Sequence, residues 1–214
     1  MKKINWIIII CIVTSVLYWY FDYDGLFEYL VFSGNNLLKG WVWTLVTSLF
    51  LHADILHLAG NMIFLFVFGN ALEKELDASK TLAAFFFGGA ASFLLSPFFY
   101  GSATPIIGAS AAIFTLTAVV MLVKPLKFSF VFFMPLGLVA IIYFLYNIGA
   151  VYFGTEGNVA YISHLIGFVI GIPFGISWSE KWALNLLITI GLSFLYLFIV
   201  LYIGPIILGI VGTL

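Results

Sequence analysis

The sequence predicts an all-α polytopic membrane protein. Of its 214 residues, 64% are hydrophobic and 8% are charged, and the mean hydropathy is +1.21. A soluble domain has about 25% charged residues and about half apolar ones. The apolar runs of the chain are close to the roughly 20 residues that a helix needs to cross a hydrocarbon core. These observations predict one membrane domain, with the lipid bilayer around it and no separate soluble domain.

Seven apolar segments are separated by connectors that carry the charges. The segments cover residues 4–21, 55–72, 81–100, 107–123, 128–147, 159–178 and 182–203. The first follows Met1-Lys2-Lys3, as a signal peptide would, but it ends in Tyr18-Trp19-Tyr20-Phe21 instead of a small-residue cleavage site. We therefore interpret it as a retained span with an aromatic belt. The 22–54 connector, which contains Trp41 and Trp43, is expected to lie along the membrane interface.

Lysine placement predicts the orientation in the membrane. With a cytoplasmic N-terminus, only Lys39 of the eight basic residues lies outside, and the positive-inside rule favours this arrangement. The cytoplasmic lysines are then Lys2, Lys3, Lys74, Lys80, Lys124, Lys127 and Lys181. The sequence thus predicts a multi-pass protein of the cell membrane. Its net charge of −1 does not indicate a nucleic-acid partner.

Three polar side chains are expected at one depth near the outer face. Segments 2, 4 and 6 all run inward in this orientation, and Asn61, Ser110 and His164 lie near their respective starts. At 1.5 Å per helical residue, each side chain lies roughly 4–8 Å below its segment start. Polar groups from three helices are therefore predicted to meet near the outer surface.

His164 is the strongest individual signal for function, because an ionisable side chain at membrane depth is costly and usually functional. Gly167, Gly171 and Gly175 follow it on the same helical face, which favours close packing of segment 6 against another helix. Segment 4 is a suitable partner because Ser110 lies among small residues. Small residues are also common in ordinary membrane helix packing, so this motif alone does not establish a catalytic serine.

The chemistry available to these residues is acyl transfer by a serine. Ser110 needs a base to accept its proton, and His164 is the histidine at the matching depth. His57 and Asn61 share a helical face and can donate hydrogen bonds to an oxyanion, as can the first N–H groups of segment 4. Without a mid-span Asp or Glu, the prediction is a dyad and not a Ser-His-Asp triad. No metal site is predicted, since HExxH is absent and His52 and His57 are poorly spaced for a helical metal pair.

Several stretches together resemble the rhomboid family of intramembrane serine proteases. They are Phe50-Leu51-His52, His57-Leu58-Ala59-Gly60-Asn61-Met62, Gly69 with Leu72-Glu73, Gly108-Ala109-Ser110-Ala111, and Ser163-His164-Leu165-Ile166-Gly167 with Gly171. The resemblance implies a six-helix bundle, with the seventh segment as a C-terminal addition. It also implies Ser110 as nucleophile, His164 as general base, and His57 and Asn61 as oxyanion donors. The implied substrates are transmembrane segments of other proteins, cleaved near the outer face without a cofactor.

Three positions depart from the family pattern. Ala111 replaces the last glycine of GxSG, and Thr44 follows Trp43 where an arginine is common. Phe114 occupies the position from which a ring stacks on the catalytic imidazole, but it lacks a tyrosine hydroxyl. The resemblance divides the chain into a catalytic membrane domain, 1–178, and an additional helix with an apolar tail, 179–214.

Other functions compete with this interpretation. A catalytically inactive relative would bind membrane clients, although such proteins typically lose the serine or the histidine. A transporter would carry polar residues along a whole path, whereas here they cluster at one depth. An α/β-hydrolase elbow needs glycine where Ala112 stands.

Hydrolysis also requires water at Ser110. We therefore expect an outer cavity capped by a 148–160 loop, in which Gly149, Gly154 and Gly157 permit movement.

Overall fold

The computed structural model of the chain describes residues 2–21, 25–154 and 160–205, and these are mostly helical. In chain order the helices are α1 (Lys3–Tyr20), α2 (Leu26–Leu30), α3 (Gly34–Leu38), α4 (Thr44–Thr47), α5 (Ile55–Phe64), α6 (Asn70–Glu75), α7 (Ala78–Leu95), α8 (Pro97–Tyr100), α9 (Ser110–Val123), α10 (Leu136–Tyr152), α11 (Tyr161–Trp178) and α12 (Trp182–Phe198). A 3-10 turn, Ser48–Phe50, follows α4, and π-helical turns, Leu65–Gly69 and Ile199–Ile203, follow α5 and α12. The strands β1 (Phe128–Ser129) and β2 (Met134–Pro135) form an antiparallel hairpin.

The seven predicted apolar segments correspond to seven apolar helical units. Five are long enough to span a membrane: Lys3–Tyr20, Ile55–Glu75, Ala78–Tyr100, Tyr161–Trp178 and Trp182–Ile203. Two are shorter, Ser110–Val123 and Leu136–Tyr152. The predicted all-α polytopic membrane fold is confirmed.

The short helix α9 occupies the centre of the bundle. It packs against α7, α10, α11 and α12, and its side chains from Ala111 to Leu122 are buried. Its 14 residues give a length of roughly 21 Å, less than the roughly 30 Å of a bilayer core. If Lys124 lies near one membrane surface, Ser110 at the other end of α9 therefore lies below the opposite surface.

Glycines bring α11 into direct contact with the α9 backbone, as the glycine stripe predicts. A Cβ atom on Gly167 would overlap the carbonyl oxygen of Ala111, and one on Gly171 would lie 2.5 Å from that of Thr115. The Thr115 hydroxyl also donates to the Gly167 carbonyl at 2.9 Å. The two helices are therefore held at backbone-to-backbone distance.

Charged contacts join several elements at the lysine end of the bundle, which we define by Lys2, Lys74, Lys124 and Lys127. The Glu73 carboxylate accepts the Lys3 and Ile4 N–H groups at 2.7 and 2.9 Å, which satisfies two free donors at the start of α1. Lys124 pairs with Glu75 at 2.9 Å.

Lys127 belongs to the same group of charges. Burial lowers the pKa of Lys127, and the nearby charges of Lys2 and Lys74 lower it further. Lys39 instead pairs with Glu28 on the connector before α5. That connector bonds to the loop before α9 through the Phe32–Ile106 bridge, at the opposite end of α9.

The predicted boundaries of segments 4 and 5 are wrong. Segment 4 begins at Ser110 and not at residue 107, because Gly108 adopts a left-handed φ of 110° that a helix excludes. Ser110 is therefore at the helix start and not several ångströms below it. Segment 5 begins with the β1–β2 hairpin, and α10 starts only at Leu136. The hairpin turn includes Phe133 at a φ of 54°, and a hydropathy pattern does not predict such a backbone conformation.

The expected 148–160 loop begins later along the chain than predicted. α10 continues to Tyr152, so Gly149 is helical, while Gly154 follows the helix with φ 61°. Gly157 lies outside the described residues, as does the apolar tail from residue 206.

Candidate active site

A cavity of about 490 Å³ opens at the start of α9. All five side chains singled out in the sequence line it: His57, Asn61, Ser110, Phe114 and His164. They come from α5, α9 and α11, which converge at this end of the bundle. The predicted meeting of polar groups from separate helices is thus present in the fold.

Ser110 is held in place by the loop that precedes α9. The Gly108 N–H donates to the Ser48 carbonyl at 2.9 Å, and the Ala109 N–H donates to His52 Nε2 at 3.4 Å. Ser48 also bonds to the connector through its hydroxyl and the Leu30 carbonyl, at 3.0 Å. The N-cap residue Ala109 leads directly into the helix, so Ser110 stands at the first helical position.

Gly108 allows His57 to lie beside the loop that precedes α9. A Cβ atom at position 108 would lie 2.8 Å from His57 Nε2, and the φ of 110° is itself unfavourable for any other residue. Glycine at this position therefore serves both the turn and the close approach of the imidazole.

Within the part of the chain that the structure describes, the hydrogen bonds of His57 leave one ring donor available. Its Nδ1 accepts the Ala53 N–H at 3.3 Å, so in the neutral ring the proton is on Nε2. The Asp54 carboxylate caps α5 by accepting the His57 N–H at 2.8 Å. His57 thus lines the cavity with an N–H donor at Nε2.

Asn61 is already partly engaged by its own helix. Its Nδ2 donates to the His57 carbonyl at 2.9 Å, one turn earlier. An amide nitrogen has two protons, so one donor remains after this bond. Asn61 lines the cavity and is almost completely buried.

Aromatic rings fix the plane of the His164 imidazole. Phe114 stacks on it with ring centroids 4.7 Å apart and planes 9° apart. Tyr143 also stacks on Phe114, with ring centroids 4.6 Å apart. Within the described residues, no hydrogen bond joins Ser110 to His164. Catalytic hydrogen bonds often tighten only in the substrate complex.

Sequence reasoning missed Asn147, which contacts His164 directly. Its Oδ1 lies 2.8 Å from His164 Nδ1, and both side chains are buried. The signal in the sequence was an amide near the end of an apolar segment, since such a group needs a partner inside the membrane. Its partner depends on how α10 meets α11, which spacing along the chain does not show.

His52 was also undervalued, because its spacing from His57 was assessed as if both lay on one helix. It precedes α5, and the two rings approach edge to face with centroids 5.1 Å apart. Nδ1 of His52 lies 3.1 Å from the Ser15 hydroxyl on α1, while Nε2 accepts from Ala109. Burial, together with the nearby charge of His57, lowers the pKa of His52 to about 3. The neutral ring therefore links α1 to the Ser110 loop.

Both ring nitrogens of His52 are engaged by protein groups, so the ring is not free to bind a metal ion. Over residues 2–21, 25–154 and 160–205, no group of three or more His, Cys, Asp or Glu side chains is arranged to hold one.

Residues 39–181 match the family model described as the Rhomboid domain, which covers 143 of the 214 residues. The chain belongs to the rhomboid family. The match contains the whole cavity and ends just before α12. Rhomboid membership and the apolar helices together make this a multi-pass membrane protein.

Two curated rhomboid relatives resemble part of the chain. Rhomboid-like protein 11, chloroplastic, of Arabidopsis thaliana is 35% identical over 79 residues, which are 37% of this chain and 28% of the relative. Rhomboid protease GluP of Bacillus subtilis (strain 168) is 39% identical over 85 residues, 37% of this chain and 16% of the relative. The chain thus spans less than a third of the length of either relative.

Proposed function

We propose that this rhomboid-family chain is an intramembrane serine endopeptidase, with Ser110 as nucleophile and His164 as general base. The observation that carries the proposal is that both side chains line one cavity, on helices joined by glycine contacts. Family membership supports a protease-type function, since one relative is named a rhomboid protease.

The proposed reaction starts with the Ser110 hydroxyl. Its oxygen attacks the carbonyl carbon of the scissile peptide bond while His164 Nε2 takes the proton. The tetrahedral intermediate carries an oxyanion that accepts hydrogen bonds from His57 Nε2–H, from the remaining Asn61 N–H and from backbone N–H groups at the start of α9. His164 then returns its proton to the leaving amine. Water hydrolyses the Ser110 ester by the same steps, so the scheme needs no cofactor.

The proposed substrates are membrane-spanning segments of other proteins. With Lys124 at one membrane surface, the short α9 leaves Ser110 below the other, at a depth where the accessible chains are those that enter the membrane. The cavity admits the water that hydrolysis consumes, and polar groups at this depth are tolerated where they line such a space.

The decisive experiment is labelling of purified full-length protein with a fluorophosphonate probe. Wild type should be labelled and should cleave a model transmembrane substrate, whereas Ser110→Ala should do neither. Ser177→Ala is the matched control, because that exposed serine on α11 only donates to the Phe174 carbonyl. Folded wild-type protein without labelling or cleavage would refute the proposal and favour the alternative of an inactive rhomboid-like protein that binds membrane clients.

We further propose that the N-terminus is cytoplasmic and that the cavity faces the outer side of the cell membrane. The grouping of lysines at the end of the bundle opposite Lys39 supports this orientation. Lys39 and Lys124 have side chains 51% and 52% exposed, and each forms one ion pair, so they make a balanced pair of probes. Lys39→Cys should react with an impermeant thiol reagent from outside and Lys124→Cys should not. Buried Cys11 should contribute little background, and the opposite pattern would reverse the orientation.

The division into a catalytic membrane domain, 1–178, and an additional segment, 179–214, remains a proposal. The family match ends at residue 181, whereas Asn185 on α12 donates to the Leu122 and Val123 carbonyls at 2.7 and 3.2 Å. A chain ending at Lys181 should retain labelling at Ser110. Loss of labelling in a folded truncated chain would show that α12 belongs to the catalytic domain.

A further inference from the structure

Asn147 makes a buried contact that the dyad mechanism does not use. The residue lies on α10 and is 1% exposed, and its Oδ1 is 2.8 Å from Nδ1 of His164 on α11. His164 itself is 5% exposed, so little water competes for this bond. The contact involves the imidazole nitrogen that faces away from the proposed proton transfer with Ser110.

The orientation of the Asn147 amide follows from its second partner. Nδ2 of Asn147 donates to the Tyr143 carbonyl at 2.8 Å, one turn earlier on the same helix. A carbonyl oxygen can only accept, so rotating the amide by 180° would place two acceptors against each other. The amide oxygen, and not the nitrogen, therefore faces His164.

That orientation determines which tautomer His164 adopts. An amide oxygen only accepts, so Nδ1 of His164 must carry the proton that joins the two residues. In a neutral imidazole the other nitrogen, Nε2, then has a free lone pair. A general base needs this lone pair. The stacked ring of Phe114 holds the plane of the imidazole in place.

We propose that Asn147 is a positioning residue that holds His164 in the Nδ1–H tautomer, so that Ser110, His164 and Asn147 form a triad with a neutral third member. The inference rests on the proposed function, because it assigns a role within that mechanism. During the reaction Nε2 gains the serine proton and later gives it to the leaving amine, while the Nδ1 proton stays in its bond to Asn147. Asn147 neither gains nor loses a proton.

A neutral amide suits this position because the site is buried within a membrane bundle. A carboxylate there would carry a large desolvation cost whenever His164 is uncharged. The amide provides direction without charge, and one of its two N–H groups donates within its own helix. The Asn147 amide therefore contributes by orienting the imidazole, and it carries no charge that would stabilise the imidazolium.

The first test is ¹⁵N NMR of histidine-labelled, full-length protein. The His164 signals are assigned by their loss in His164→Gln. We expect a protonated Nδ1 and an unprotonated Nε2 at neutral pH in the wild type. An Nε2–H tautomer would overturn the inference without requiring any Asn147 variant to fold.

The second test measures cleavage by Asn147→Ala and Asn147→Leu, of which the latter better preserves the side-chain volume. Removing one buried hydrogen bond should lower kcat by about tenfold to a hundredfold with little change in KM. Probe labelling of Ser110 should slow in parallel, and the His164 signals should shift toward the Nε2–H tautomer. A merely structural residue would not move this spectroscopic signal.

Asn70→Ala is the matched control, since Asn70 Nδ2 also donates to a carbonyl one turn earlier, that of Phe66, but far from the cavity. It should leave the His164 tautomer unchanged. If wild type is labelled and folded Asn147→Ala reacts at the wild-type rate, this inference fails while the proposed function stands. Unreactive wild type would overturn both.

Discussion

The two helices that flank α9 at the cavity are held there in different ways. α11, which carries His164, packs through Gly167 and Gly171 directly onto α9 carbonyl oxygens. α5, which carries His57 and Asn61, meets α10 through the stacked rings of Phe64 and Tyr143, with centroids 4.5 Å apart. Direct backbone contact fixes the distance between α11 and α9. An aromatic pair, in contrast, contributes only about 0.5–1.5 kcal/mol beyond the area it buries. The proposed base is thus fixed relative to Ser110, while the other side of the cavity is closed by weaker contacts.

The strongest challenge to this comparison is Gly167→Ala. The added methyl would overlap the Ala111 carbonyl, so α11 would have to move away from Ser110. Overpacking of this kind costs about 1–3 kcal/mol or more. We expect loss of substrate cleavage and of Ser110 labelling, together with a lower thermal unfolding temperature.

Gly191→Ala on α12 is the control, because an added Cβ would meet nothing within 4 Å. It should label and cleave like the wild type. Wild-type activity in Gly167→Ala would mean that the α9–α11 contact does not position the base.

Asn61→Ala tests the donors on the α5 side. Removing one oxyanion donor typically lowers kcat by about 10²–10³-fold. We expect that loss in cleavage assays with KM nearly unchanged, and continued labelling of Ser110 because Ser110 and His164 remain. Combining Asn61→Ala with Ser110→Ala should cause no further loss, since residues that act as a unit are not additive. Wild-type cleavage by Asn61→Ala in detergent and in liposomes would leave His57 and backbone N–H groups as the donors.

Phe64→Ala tests the α5 side of the comparison by removing the stacked contact between Phe64 on α5 and Tyr143 on α10. If that contact limits substrate entry, losing about 1 kcal/mol of ring stacking should raise cleavage of a transmembrane substrate by about fivefold. Labelling by a small water-soluble probe should change little. Phe66→Ala is the control, because Phe66 is exposed and does not line the cavity. Equal rates in both variants and the wild type would show that this side does not gate access.

The smallest effect at neutral pH is expected for His52→Gln, which tests the contact between His52 and the loop before Ser110. The pKa of His52 in the folded protein is about 3, against 6.5 for the unfolded chain, because the ring is buried and lies near His57. Below pH 6.5 the unfolded state binds more protons, so stability falls as the pH drops toward 3, by up to about 1.4 kcal/mol per pH unit. Denaturant unfolding between pH 7 and 4 should show a steeper decline in wild type than in His52→Gln. Parallel curves would contradict this assignment.

Several features of the site were readable from residue spacing alone. The apolar runs are long enough to demand helices, because only helices and closed barrels satisfy backbone groups in lipid. Gly167 and Gly171 lie on the His164 face of one helix, and that periodicity predicted the close contact with segment 4. His164 and Asn61 stood out because polar groups in apolar segments are costly.

Segment boundaries were not readable in the same way. The 128–147 run is apolar throughout, yet its first part is a hairpin with Phe133 at φ 54°, and hydropathy is the same for either backbone. Gly149 was assigned to a loop but lies within α10, since glycine is tolerated in a helix that packing stabilises.

The sequence by itself determined that this chain crosses the membrane several times and that a serine, a histidine and two potential donors lie near the ends of its spans. Those results depend on local composition and on helical period, which are properties of neighbouring residues. Only the tertiary structure decided that Asn147 meets His164, that Gly108 makes room for His57, and that His52 joins α1 to the Ser110 loop. Each of these contacts joins residues on different elements, and its geometry depends on how the helices pack, which no spacing along the chain encodes.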